Sequence, residues 1–115
     1  MDTPREPTDL QALVRTMNEV LILASLRGGR KHGYQIALDV ERDTAGVFAF
    51  QHGTLYPILH RLEKDGLIAG HWDDSGGRRR KVYGLTAEGR AHAEREGARC
   101  ARVFGAFNAI LGSGS

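Results

Sequence analysis

Apolar residues along the chain fall into a few periodic blocks separated by polar, glycine-rich stretches. Leu10, Leu13, Val14, Met17, Val20, Leu21 and Ala24 recur at spacings of three and four. This predicts a first helix capped by Thr8 or Asp9 and stopped at Gly28-Gly29. Its second half, Val20–Leu26, is apolar on nearly every side and should be buried all round. Tyr34, Ile36, Ala37 and Val40 predict a second helix over Gly33–Arg42. The segment Asp43–Phe50 is irregular, with Gly46 as a break and Val47, Phe48 and Phe50 expected as core plugs. Leu55, Ile58, Leu59 and Leu62 form one stripe of a third helix, starting near Gly53-Thr54 and ending at Gly66, with Pro57 in its first turn. Leu67–Trp72 and Arg80–Leu85 then read as two strands joined by a loop rich in Gly, Ser and Asp. Thr86 is the expected N-cap of a last helix running to about Leu111.

The order helix, helix, helix, strand, strand, helix predicts an α+β, mainly α, chain: a winged helix-turn-helix with a long C-terminal dimerisation helix. Residues 1–8, with Pro4 and Pro7, read as a flexible arm, 9–85 as the winged domain and 86–111 as the dimerisation helix. Residues 112–115 read as a flexible Gly/Ser tail.

Composition narrows the class. The 115 residues suit one domain, and 41% hydrophobic with 26% charged residues is ordinary for a globular protein. The net charge of +2 says little by itself; placement says more. Cys100 is the single cysteine, which excludes a disulfide framework and a multi-cysteine zinc site and fits a reducing cytoplasm. No apolar run nears the roughly 18 residues of a membrane span. Residues 1–8 lack a hydrophobic stretch, so no secretory leader is expected.

The outer side of the third helix presents Tyr56, His60, Arg61 and Lys64, with Gln51 and His52 just before it and Thr54 and Pro57 in its opening turns. Hydrogen-bonding tips and positive charge are what a helix needs to reach base edges and phosphates in a major groove. A plain amphipathic surface helix has the same pattern. Arg78-Arg79-Arg80-Lys81 places four cations at the hairpin tip and return strand. Strand residues alternate faces, so the loop half is the part that reaches a phosphate backbone. Asp73-Asp74 dilute that charge and are expected to aid solubility or orient the hairpin. A third basic cluster, Arg27, Arg30 and Lys31, precedes His32-Gly33-Tyr34 at the start of the second helix. A helix N-terminus suits phosphate, and Gly33 allows close backbone approach; a simple glycine turn fits as well.

On the last helix Ala93, Gly97, Cys100, Phe104, Phe107 and Leu111 are spaced 4, 3, 4, 3, 4, a seam widened by Val103 and Ile110. Such a seam needs a partner. A second copy is expected, with Leu10, Leu13 and Met17 of the first helix contributing; folding back on the first helix is the alternative, and both can hold. Met17, Leu21, Phe104 and Phe107 are the expected lining of an effector pocket, or else simply dimer core.

These residues resemble a known family. Gly53-Thr54-Leu55-Tyr56-Pro57-Ile58-Leu59-His60-Arg61-Leu62-Glu63-Lys64-Asp65-Gly66-Leu67-Ile68 is similar to the signature of PadR-like transcriptional regulators. His32-Gly33-Tyr34, Gly77-Arg78-Arg79-Arg80-Lys81-Val82-Tyr83 and Leu85-Thr86-Ala87-Glu88-Gly89 resemble it in the same order, so the likeness spans about residues 17–90. The single C-terminal helix resembles the small subfamily. The resemblance implies a homodimer on an inverted-repeat operator, usually a repressor released by a small molecule. It implies that Tyr34 and Tyr56 touch the DNA backbone, that Gly53 and Thr54 open the recognition helix, and that Arg79-Arg80 lie on the wing. Gly84 and Val82 depart from the family's usual residues, and both changes are expected to loosen the return strand. The last helix has no tryptophan, and Trp72 lies on the first wing strand, so stacking of flat drugs between tryptophans is not expected.

Rival classes find less support. No nucleophile, base and orienter assemble into an enzyme site, and no phosphate-loop or dinucleotide motif is present. His32, His52, His60, His71 and His92 include no pair at i, i+3 or i, i+4, which weighs against a metal-responsive winged helix. No metal or cofactor is expected. A winged helix that binds only protein is the remaining alternative to double-stranded DNA as partner.

Overall fold

Leu62, Leu59, Ile58 and Leu55 turn one face of a helix into the centre of the molecule, and the other elements gather around that face. The computed structural model describes residues 9–112. The expected arm over 1–8 and tail residues 113–115 lie outside the described residues. The elements are α1 (Asp9–Ser25), β1 (Lys31–His32), α2 (Gly33–Asp43), α3 (His52–Lys64), β2 (Ile68–Asp73), β3 (Arg80–Leu85) and α4 (Ala87–Leu111). This is the mainly helical winged helix-turn-helix that the periodicity implies.

The core draws Ile22, Leu23 and Leu26 from the end of α1, Ile36 and Val40 from α2, the α3 stripe, Ile68 from β2, Tyr83 from β3 and Ala93 from α4. Helix α1 ends at Ser25, before the expected glycines, where Leu26 and Arg27 amides bond back to Leu23 and Ala24 in a tighter turn. Asp9 is already helical, and the other expected cap, Thr8, lies outside the described residues. In the α2–α3 connection, Phe48 and Phe50 pack half-buried on the core, but Val47 is exposed and plugs nothing. The Thr44 hydroxyl shapes that turn, donating to the Val40 carbonyl (2.7 Å) and accepting from the Phe48 amide (3.1 Å).

Strands β2 and β3 pair antiparallel from Ile68↔Leu85 to Asp73↔Arg80. The two-residue β1 joins β3 on its other edge, Lys31↔Tyr83 and His32↔Val82, giving the order β1-β3-β2. The sequence reading lacks this strand because two residues show no alternation. Gly84, expected to loosen the wing, is buried; a Cβ there would sit 3.1 Å from the Arg30 side chain, which occupies the space instead. Asp39 is a buried acid the sequence reading also lacks. It accepts from Lys31 of β1 and from Gln35 (2.8 Å), with Arg42 at 3.2 Å, so it pins β1 to α2. The Lys31 and Gln35 hydrogen bonds hold its carboxyl below the usual carboxylate range.

Thr86 caps α4 as its sequence indicates, accepting from the Gly89 amide at 2.9 Å. Its hydroxyl also reaches the Gly66 and Leu67 carbonyls, tying α4 to the end of α3. Gly89 makes that junction fit: a Cβ there would meet the Leu67 carbonyl oxygen at 1.9 Å.

Candidate nucleic-acid interface

Helix α3 starts at His52, one residue before the Gly53-Thr54 that its sequence signals indicate. Thr54 and Leu55 amides bond to the Gln51 carbonyl (2.9 and 2.8 Å), which puts Gln51 at the cap and His52 inside the first turn. Pro57 is therefore the sixth helical residue and not part of the first turn. Its ring faces outward, and the Gly53 carbonyl is deprived of its partner one turn back. Gly53, Pro57, His60 and Lys64 form an exposed stripe opposite the buried one, with Thr54 exposed and Tyr56 half-buried beside it. The His52 and Tyr56 rings stack at 5.7 Å.

Arg61 is not on that stripe. One residue past His60, it is rotated about 100° and reaches α1, where Nε (3.2 Å) and Nη2 (3.0 Å) donate to Glu19 Oε2. Lys31, expected as a DNA cation, is committed to Asp39. Lys81 donates to Glu63 Oε1 at 2.9 Å, a bond that raises its pKa. Among the expected cations, Arg78, Arg79 and Arg80 on the wing, Lys64 on α3 and Arg27 and Arg30 before β1 are exposed.

The second helix delivers its N-terminus to the same place. Gly33 is buried against Tyr56: a Cβ there would lie 2.9 Å from the Tyr56 hydroxyl oxygen. That approach closes α2 onto α3 and leaves a cleft of about 360 Å³ lined by His32, Gly33, Tyr34, Tyr56, Arg78, Arg80, Lys81 and Tyr83. Three separate sequence segments thus bring hydroxyls, guanidinium groups and a helix N-terminus to one concavity.

The hairpin has its own internal order. Asp73 accepts from the Ser75 amide (3.0 Å) and hydroxyl (2.7 Å), which lowers its pKa and shapes the turn. His32 Nε2 lies 3.5 Å from the same carboxylate. Trp72, absent from the sequence-derived site, stacks under the Arg79 guanidinium at 4.6 Å, with Asp74 3.7 Å away. Its ring is cross-strand from Lys81, a pairing that only the register reveals.

The apolar seam of α4 divides. Ala93 and Cys100 are buried, and Gly97 lies over Val20 of α1, where a Cβ would be at 3.8 Å. Leu13 and Met17 are half-buried on α1. Beyond Cys100 the seam opens among the described residues: Val103, Phe104, Phe107, Ile110 and Leu111 are exposed, as is Leu10. A groove of about 280 Å³ does lie between α1 and α4, but its walls are Ala12, Leu13, Thr16, Glu96, Arg99, Cys100, Arg102 and Val103. None of the expected Met17, Leu21, Phe104 and Phe107 lines it, because Leu21 turns to the core and the two phenylalanines point outward. Among the described residues no group of three or more His, Cys, Asp or Glu is placed to hold a metal ion. No described helix is long and apolar enough to cross a membrane.

A helix-turn-helix with a basic hairpin behind its third helix defines the winged helix-turn-helix class. Within that class, residues 22–95 match the Transcriptional regulator PadR-like family, and the chain belongs to it. It is 41% identical over 61 residues to a transcriptional regulator of Mycobacterium tuberculosis, a match covering 53% of this chain and 44% of that protein. A transcriptional regulator from Clostridium thermocellum has the same fold at a TM-score of 0.76 and 25% identity, over 87% of this chain and 98% of that one. PadR of Bacillus subtilis, solved in complex with operator DNA, is similar at 0.63 and 26%, over 69% of this chain and 46% of that one.

Proposed function

We propose that this PadR-family regulator is a homodimeric repressor that binds an inverted-repeat operator and is released by a small molecule. In this reading α3 enters a major groove, and Gln51, His52, Thr54, Pro57, His60 and Lys64 face base edges or the backbone beside them. His32, Gly33, Tyr34 and Tyr56 receive a phosphate at the start of α2, where free amides and the helix dipole favour an anion. Arg78, Arg79 and Arg80 grip flanking phosphates. Two copies associate through the outward end of α4, with Leu10 and Leu13 at its edge, because five large apolar side chains there need cover. An effector would enter the α1–α4 groove and change the angle between subunits, and with it the spacing of the two recognition helices.

The observation that carries this reading is the single cleft shared by the α2 N-terminus, Tyr56 and the wing arginines. The complex of Bacillus subtilis PadR with operator DNA supports the same partner. The test is fluorescence anisotropy of labelled random-sequence duplexes titrated with the protein across a salt series. Binding whose logarithm falls linearly with the logarithm of salt is expected, with a slope of several units. Weak binding at every salt concentration would support a protein-only partner instead.

A further inference from the structure

We propose that Arg61 is a positioning residue: paired with Glu19, it sets the rotation of the recognition helix without touching DNA. The proposal rests on the reading that α3 enters the groove. The Arg61 guanidinium gives two hydrogen bonds to one oxygen of a carboxylate only 17% exposed, on a helix 42 residues earlier in sequence. Two residues further along α3, Glu63 accepts from Lys81 on β3. The two pairs flank buried Leu62 and run in opposite sense, a cation of α3 to an acid of α1 and an acid of α3 to a cation of the wing. The stripe beneath them is closely packed Leu and Ile, which holds α3 against the core. The charged hydrogen bonds add a directional restraint on each side of that stripe, since they weaken steeply off their angle. Turning α3 either way lengthens one of the two pairs. A turn of about 10° moves a side-chain tip at a helix radius of about 6 Å by about 1 Å, enough to spoil a base contact.

The alternative is that Arg61 leaves Glu19 for a phosphate when DNA arrives. The two readings give opposite signs at Glu19. Removing an acid near a DNA-binding face should tighten binding by simple electrostatics. A positioning role requires that it weaken binding.

The experiment uses a duplex enriched by the wild-type protein from a random-sequence pool, and measures affinity against salt for Glu19→Ala, Arg61→Ala, the double variant and Arg61→Lys. Expected are losses of about threefold to tenfold for either single alanine, and no further loss in the double, all with the wild-type salt slope. Lysine should recover only part of the affinity, because it lacks the fork that holds the carboxylate. The proposal is overturned if Glu19→Ala binds as well as or better than wild type while Arg61→Ala lowers the salt slope by about one and Arg61→Lys restores it. Additive losses would overturn it as well. If the wild type binds no duplex even at low salt, the DNA reading fails and the proposal falls with it.

Discussion

Ile110 is 82% exposed near the end of α4, and the proposed dimer buries it in its interface. Substituting Ile110→Ala removes three carbons per copy. At about 0.8 kcal/mol for each buried carbon, the loss is about 2 kcal/mol per copy. A twofold interface counts it twice, about 4 kcal/mol, so the dimer dissociation constant should rise by about three orders of magnitude. The fold of the single chain should not suffer, because Ile110 touches no core residue and alanine favours the helix. Sedimentation equilibrium over a wide concentration range measures both proteins. A dimer of wild type with Ile110→Ala shifted far toward monomer is the expected result. A dissociation constant unchanged within about twofold, or a wild type monomeric throughout, would refute the assignment of this face.

Arg79→Ala should weaken binding to every duplex alike and reduce the salt slope by about one, measured by anisotropy on specific and random duplexes. Gly89→Ala should cost about 2 kcal/mol or more in urea unfolding, because its Cβ would drive the Leu67 carbonyl away from the Thr86 cap. Asp39→Asn should cost about 1–3 kcal/mol near neutral pH, by leaving Lys31 without its charge partner. Because the folded Asp39 pKa is depressed, its stabilisation is present above the ordinary value of 3.8 and is lost as pH falls through the folded pKa. Thermal melts of Asp39→Asn should therefore lose part of the wild-type decline below about pH 4.

The elements were legible where periodicity is long. The α3 stripe, the Thr86 cap and the hairpin registered in sequence because each rests on neighbours within one element. What was not legible depends on contacts between elements. Nothing local distinguishes Arg61 from Lys64 as a cation, yet one faces Glu19 and the other solvent, a difference of position around a helix whose neighbours lie 42 residues away. Lys31 reads as a surface cation until Asp39 is buried beside it. Trp72 appears as an isolated aromatic until the β2–β3 register places Lys81 opposite it and the turn brings Arg79 over the ring. The α4 seam reads as one continuous heptad pattern in sequence, but among the described residues its buried positions end at Cys100. Helix α3 starts ahead of the expected Gly53-Thr54 because the Gln51 carbonyl already accepts the Thr54 and Leu55 amides.

The central claim is that two copies of this chain place their third helices on one face of a duplex. Sequencing the duplexes that the protein enriches from a random pool, with the mass of the resulting complex, tests it most directly. Expected are an inverted repeat with half-sites about 10 base pairs apart, centre to centre, or a multiple of that, and two chains bound per duplex. A single unrepeated half-site carrying one chain, or no enrichment at all, would contradict it.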